Sequence, residues 1–160
     1  MQQKNGEHPL GDRGQLLMLA AFLIIWVADS FFLRISTFLS DDISLYIRLV
    51  IFVLILVTAV YFIRSGHIVV NHEQRPSAVL STGAFRYVRH PLYLGSMMLY
   101  LGLSVSTASL FSLLMVGLIF IFYNHIAGYE EQLLEDRFHE EYRNYKKRTG
   151  KWVPLIGRES

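Results

Sequence analysis

Three apolar runs decide what this chain can fold into. Residues 16–39, 45–63 and 92–127 are predominantly apolar; each is long enough to cross a bilayer as a helix, and the last is long enough for two short crossings. Apolar residues make up 52% and aromatics 14% of the 160 positions, too greasy for a soluble domain of this size and consistent with a single membrane domain. The expected fold is therefore an all-α integral membrane protein with about four transmembrane helices, followed by a C-terminal amphipathic helix. The chain has no Cys, which excludes disulfides, thiolate nucleophiles and Cys-ligated metals. A net charge of +2, with the cations in loops rather than along a stripe, argues against a nucleic-acid partner. The partner it demands is the lipid bilayer.

Residues 1–14 are polar, with a Pro and three Gly, and the first apolar run is too long for a signal-peptide core and lacks a small-residue cleavage site. That run reads as a retained first span, about residues 15–38. It carries Asp29 and Arg34. An ionisable group at membrane depth is a functional candidate; the alternative is that Arg34 reaches the nearby end while Asp29 finds a partner on another helix. Ser40-Asp41-Asp42 is an expected tight acidic turn, and a second span, about residues 44–63, is expected to form an antiparallel hairpin with the first. Its Arg48 stands one turn inside, within reach of Asp41 or Asp42.

Residues 64–89 form the longest polar interval, with Arg64, His67, His72, Arg75, Arg86 and Arg89 against one acid, Glu73. By the positive-inside rule this loop and both termini face the cytoplasm. His67, His72 and Glu73 suit neither one helical face nor a zinc signature, so no metal site is expected. At Arg89-His90-Pro91 the helical pattern restarts, because Pro at the first helical position costs no hydrogen bond and disfavours helix at the residue before it. The unpaired amides and positive dipole end of that helix then face His90, Arg89 and Arg86, a place that favours an anion. Spans three and four, residues 91–103 and about 110–128, are joined by a serine-rich link, and Gly95, Gly102 and Gly117 would allow close helix approach.

From Tyr129 the pattern becomes amphipathic. Leu134, Phe138, Tyr142 and Tyr145 recur at helical spacing; acids dominate the first half and Arg143, Lys146, Lys147 and Arg148 the last, an order that complements the helix dipole. The bland reading is an interfacial helix lying on the membrane. Since spans three and four form a hairpin, however, their cytoplasmic ends must be neighbours. His90, Pro91 and Tyr93 then meet Glu130 and Glu131 in one pocket, with the aromatic stripe as a lid. Aromatic faces, a carboxylate pair and a helix N-terminus suit a ligand carrying a flat heterocycle, a cation and a carboxylate. Phosphate loops, His-Glu-x-x-His and Gly-x-Ser-x-Gly are absent from the sequence.

Gly83-Ala84-Phe85, Arg89-His90-Pro91-Leu92-Tyr93-Leu94-Gly95, Glu130-Glu131-Gln132-Leu133-Leu134, the aromatic spacing from Phe138 to Tyr145, and Pro154 together resemble the isoprenylcysteine carboxyl methyltransferase family of integral membrane methyltransferases. The resemblance extends over residues 64–154. It implies an S-adenosylmethionine site formed by Asn71, Ser77, Ala78, Val79, Leu80, Phe85, His90, Pro91, Leu92, Tyr93 and Glu130. It also implies methyl transfer to a lipophilic or lipidated acceptor, of the isoprenylcysteine carboxylate type, in a multi-pass protein of the plasma (cell inner) membrane or endoplasmic reticulum. The layout would be an N-terminal hairpin (1–63), a cytoplasmic cofactor loop (64–90), a second hairpin (91–128), and an amphipathic helix with tail (129–160). Two positions depart from the family pattern. Ile126, beside His125, stands where prenylcysteine-modifying members carry an Arg four residues before the first Glu, and His139 stands where the family has Gly after the lid Phe. An amine or thiol acceptor would need a base, for which His125 and Glu131 are the candidates. The alternatives are an NADPH-dependent membrane reductase of the sterol reductase type and a non-catalytic lipid-binding scaffold.

Overall fold

The computed structural model describes residues 11–72 and 78–155. Among these residues there are helices and turns, and the only ladder-type pairing is one isolated bridge between Val88 and Gly150. Helix α1 (Gly11–Val27) widens into a π-type turn (Ala28–Leu33) and stops where Arg34 takes a left-handed conformation. A single helical turn, α2 (Leu39–Asp42), leads into α3 (Leu45–His72), and a 3-10 turn (Gly83–Arg86) precedes α4 (Pro91–Thr107) and α5 (Leu110–Arg148). Three helical segments, Arg13–Leu33, Leu45–Ile68 and Leu110–Arg148, are long and apolar enough to cross a membrane. Their large apolar side chains point outward, as Leu17, Ile24, Leu54, Val57, Leu114 and Ile121 do. Exposed leucines and isoleucines on this scale need lipid rather than water around them.

Helix α4 has 17 residues, about 25 Å at 1.5 Å per residue. The serine-rich stretch expected as a link instead extends it to Thr107, and the turn to α5 is reduced to Ala108, left-handed, and Ser109, whose side chain accepts from the Ser112 amide. Helix α4 lies against α3 and α5. Gly95 sets the first contact, since a Cβ there would sit 2.9 Å from the Ala59 carbonyl oxygen and 3.2 Å from the Ile63 nitrogen, so only glycine lets the two backbones approach this closely. Gly117, expected to do the same, meets nothing within 4 Å and faces outward. Phe22, Met97, Tyr100, Ile119 and Tyr123 form the buried core where α1, α4 and α5 converge.

Three other expectations change. The expected hairpin of the first two spans does not form a packed pair: α1 packs on α5 and α4, whereas α3 packs on α4. The connection through residues 34–44 is long enough to let the α4–α5 hairpin take the middle. Asp29 fixes α1 there. Buried, it accepts from the Ile35 and Ser36 amides (3.1 and 3.0 Å), the Ser36 hydroxyl and the Ser109 hydroxyl (2.6 Å), and Ser36 in turn receives the Phe111 amide. Asp29 thus finds its partner at the start of another helix, with every acceptor position used structurally. Arg48 donates to the carbonyls of Ile43, Ser40 and Ser106 rather than to Asp41 or Asp42. Helix α3 continues to His72 rather than stopping near residue 63, because the cations of residues 64–72 end the apolar run but not the backbone hydrogen bonding.

The spanning and amphipathic parts of α5 are continuous across Tyr129, and the break lies at His139, with φ 45° and ψ −119°. That backbone conformation belongs to glycine, the residue the family resemblance expects at this position. His139→Gly is therefore expected to stabilise the protein by about 1 kcal/mol, seen as a higher thermal midpoint in detergent. An unchanged or lower midpoint would mean that the kink carries no strain.

Candidate functional site

Pro91 begins α4, and the residue before it, His90, leaves helical geometry at φ −125°, ψ 64°. This turns His90 and Arg89 toward α5, where Glu130 and Glu131 stand just beyond the apolar span of residues 110–128. Arg89 donates through Nε to Glu131 Oε1 at 2.9 Å and through Nη2 to Oε2 at 3.5 Å. Its Nη1 donates to the carbonyls of Lys146 and Thr149. One guanidinium thus joins the start of α4, the middle of α5 and the C-terminal end of α5, where a cation also complements the helix dipole. The Arg89 and Glu131 side chains are 12% and 10% exposed, so the pair is shielded from water and its charges depend on each other.

His90 lies between the two acids, with Nε2 3.1 Å from Glu131 Oε1 and Nδ1 3.7 Å from Glu130 Oε2. Its ring stacks on Tyr93 at 5.8 Å, and the Tyr93 hydroxyl donates to Glu130 Oε1 at 2.6 Å. Burial opposes the charge on Glu131, but hydrogen bonds from His90 and Arg89 outweigh it and hold the carboxyl well below the ordinary carboxylate range. The anion that the α4 N-terminus favours is thus supplied by the chain itself.

Beside this cluster is a cavity of about 90 Å³ lined by Ala78, Val79, Leu80, Phe85, Arg89, Leu134, Phe138, Tyr142 and Tyr145. The whole predicted stripe of α5 is among these residues, even though the helix breaks within it. The lid is tied to the opposite wall at two points: the Val79 amide donates to Glu141 Oε1 at 2.9 Å, and the Tyr145 hydroxyl donates to the Phe85 carbonyl at 2.6 Å. Burial pushes the phenols of Tyr142 and Tyr145 up, so both remain neutral donors. Ser65 of α3 accepts the Ala84 amide at 2.8 Å and holds the 3-10 turn in place.

Of the sequence-derived site residues, Ala78, Val79, Leu80 and Phe85 line the cavity. His90, Tyr93 and Glu130 meet in the cluster next to it. Pro91 and Leu92 instead pack on α3, against Gly66. Asn71 lies in the last turn of α3, where its backbone alone is described, and Ser77 lies outside the described residues. Glu131 belongs to the cluster, whereas His125 is exposed on α5 and does not line the cavity. Sequence reasoning placed Arg89 only among the cations at the anion-favouring start of α4, without its partner Glu131, and assigned no role to Glu141 or Ser65. For Arg89 a signal existed: a cation adjacent to His90 that would face two consecutive acids.

Helices that expose apolar side chains and enclose a polar cluster at one end define a membrane-domain architecture. The profile of the phospholipid methyltransferase family matches residues 47–141, and the chain belongs to that family. It is 30% identical over 92 residues to protein-S-isoprenylcysteine O-methyltransferase of Schizosaccharomyces pombe, an alignment covering 57% of this chain and 39% of that protein. It is 35% identical over 92 residues to methanethiol S-methyltransferase 1 of Bradyrhizobium diazoefficiens, covering 55% of this chain and 32% of the relative. The chain therefore spans well under half the length of the curated relatives it matches. No solved structure matches it.

Proposed function

We propose that this chain is an S-adenosylmethionine-dependent methyltransferase acting on a lipophilic acceptor taken from the membrane. The observation that carries this reading is the juxtaposition of an apolar, aromatic-walled cavity with the His90, Tyr93, Glu130 and Arg89–Glu131 cluster. The apolar segment 78–80 with Phe85 and Phe138 suits an adenine ring, and Glu130, which receives the Tyr93 hydroxyl and faces His90, suits an ammonium or a ribose diol. When bound, the donor supplies a methyl group already activated on a sulfonium; the acceptor's lone pair forms the new bond as the carbon–sulfur bond breaks and its electron pair returns to sulfur.

The chain's residues align the partners and exclude water. The cavity is smaller than the roughly 300–1,000 Å³ usual for ligand sites, so admission of the donor requires the segment after His139 to move away from Val79 and Phe85. The two relatives are named for O-methylation of a protein S-isoprenylcysteine and for S-methylation of methanethiol, and the choice of acceptor bears on proton handling. A carboxylate needs no base. A thiol does, and Glu131, held deprotonated by Arg89 and His90, is a poor one. Four crossing segments with α4 as the short one, both termini and the site on the cytoplasmic side, agree with the cations of residues 64–89.

Calorimetry of the detergent-solubilised protein with S-adenosylhomocysteine and with NADPH tests the reading. Binding of the first in the micromolar range and not of the second is expected. Binding of NADPH, or of neither, would overturn it.

A further inference from the structure

The break at His139 turns the last part of α5 back toward the first, and one carboxylate reaches across it. Glu135, which precedes the break, accepts from Arg143 Nε at 2.9 Å through Oε1 and from Lys146 Nζ at 3.1 Å through Oε2, and both cations follow the break. These partners are 8 and 11 residues away along the chain. In an unbroken helix they would stand roughly 12 and 16 Å further along the axis, too far for a single carboxylate to serve both. The two pairs therefore form only while the segment after His139 is folded back, and an outward swing of that segment breaks them. Arg143 also pairs with Glu140 at 2.9 Å, but that acid lies beyond the break and travels with the segment. It can hold nothing shut.

The same segment closes the cavity. Its Glu141 accepts the Val79 amide and its Tyr145 hydroxyl donates to the Phe85 carbonyl, both on the opposite wall. Since the enclosed space is smaller than a ligand site requires, these contacts belong to the shut arrangement. Exposure divides the charges here into two sets. Arg89 and Glu131 are 12% and 10% exposed, whereas Glu135, Lys146 and Arg143 are 31%, 35% and 52% exposed. Dissolved ions screen the second set far more than the first.

We propose that Glu135 is the latch of this lid: by holding Arg143 and Lys146 it keeps the segment after His139 shut over the cavity, and ions competing for those two cations set how often a ligand can enter. That the ligand admitted is the methyl donor rests on the methyltransferase reading. The latch itself does not.

Hydrogen exchange at the Val79 amide of the detergent-solubilised, ligand-free protein tests it, because that amide is released when the lid lifts. Glu135→Gln should speed the exchange about fivefold, the two pairs being individually modest but acting on one hinge. Raising the salt from about 0.1 to 1 M should speed it about threefold in the unaltered protein and much less in Glu135→Gln. Glu140→Gln removes the same charge from the lid itself and should not speed it. S-adenosylhomocysteine should associate with Glu135→Gln faster than with the unaltered protein, by about the factor seen in exchange. Exchange unchanged in Glu135→Gln, or raised as much in Glu140→Gln, overturns the latch and leaves the donor site standing. The expected exchange response without S-adenosylhomocysteine binding to the unaltered protein overturns the methyltransferase reading and leaves the latch.

Discussion

Arg89→Ala is expected to destabilise the protein by about 3–5 kcal/mol, the usual cost of leaving one member of a buried ion pair alone. The thermal midpoint in detergent should fall by roughly 10 °C or more. The effect is large because one side chain serves three segments. Without it Glu131 keeps only His90 as a close donor, apart from Lys146 at 4.0 Å, and the Lys146 and Thr149 carbonyls lose their side-chain partner. The same pair predicts an acid limb. A carboxyl whose pKa is lowered on folding contributes stability that is fully present above its unfolded value, here 4.5, and is lost as pH falls toward the folded value. The unaltered protein should therefore weaken below about pH 4.5, and this dependence should be smaller in Arg89→Ala. A variant as stable as the parent at neutral pH would mean that the guanidinium is solvated rather than bound.

Glu130→Ala should have the opposite signature. Its carboxylate receives the Tyr93 hydroxyl and lies near His90, but it is not the anchor of the Arg89 network. Its removal should cost about 1 kcal/mol of stability while weakening S-adenosylhomocysteine binding by about a hundredfold, the value of two charge-assisted hydrogen bonds. Calorimetry and a thermal melt on the same preparation separate the two effects. Normal affinity in the folded variant would remove Glu130 from the donor site.

The meeting of His90 and Tyr93 with Glu130 was legible in the sequence because it depends on topology alone. A short turn between two helices makes their opposite ends neighbours, whatever the rotation of either helix. What depends on rotation was not legible. Residue spacing does not show that Pro91 and Leu92 turn toward Gly66, that Gly117 faces outward, or that His125 misses the cavity. The packing order of α1 and α3 was hidden for a related reason: a connecting segment of that length permits either arrangement, and the choice is made by Asp29 and Ser109, 80 residues apart. The cavity wall at residues 78–80 was assigned through the family resemblance, and physical reading alone offered no signal beyond its apolar character. The helix break at His139 was marked in advance by a departure from the family's glycine, although its meaning emerged only from the backbone angles.

Helix α5 leaves its apolar span without a break and keeps helical backbone geometry to Phe138, roughly 43 Å of rod from Leu110. Such a rod works as a lever whose fulcrum is the lipid. Any tilt that matches its greasy portion to a thicker or thinner bilayer would carry Glu130, Glu131, Leu134 and Phe138 together, while the break at His139 leaves the segment that closes on Val79 and Phe85 to follow separately.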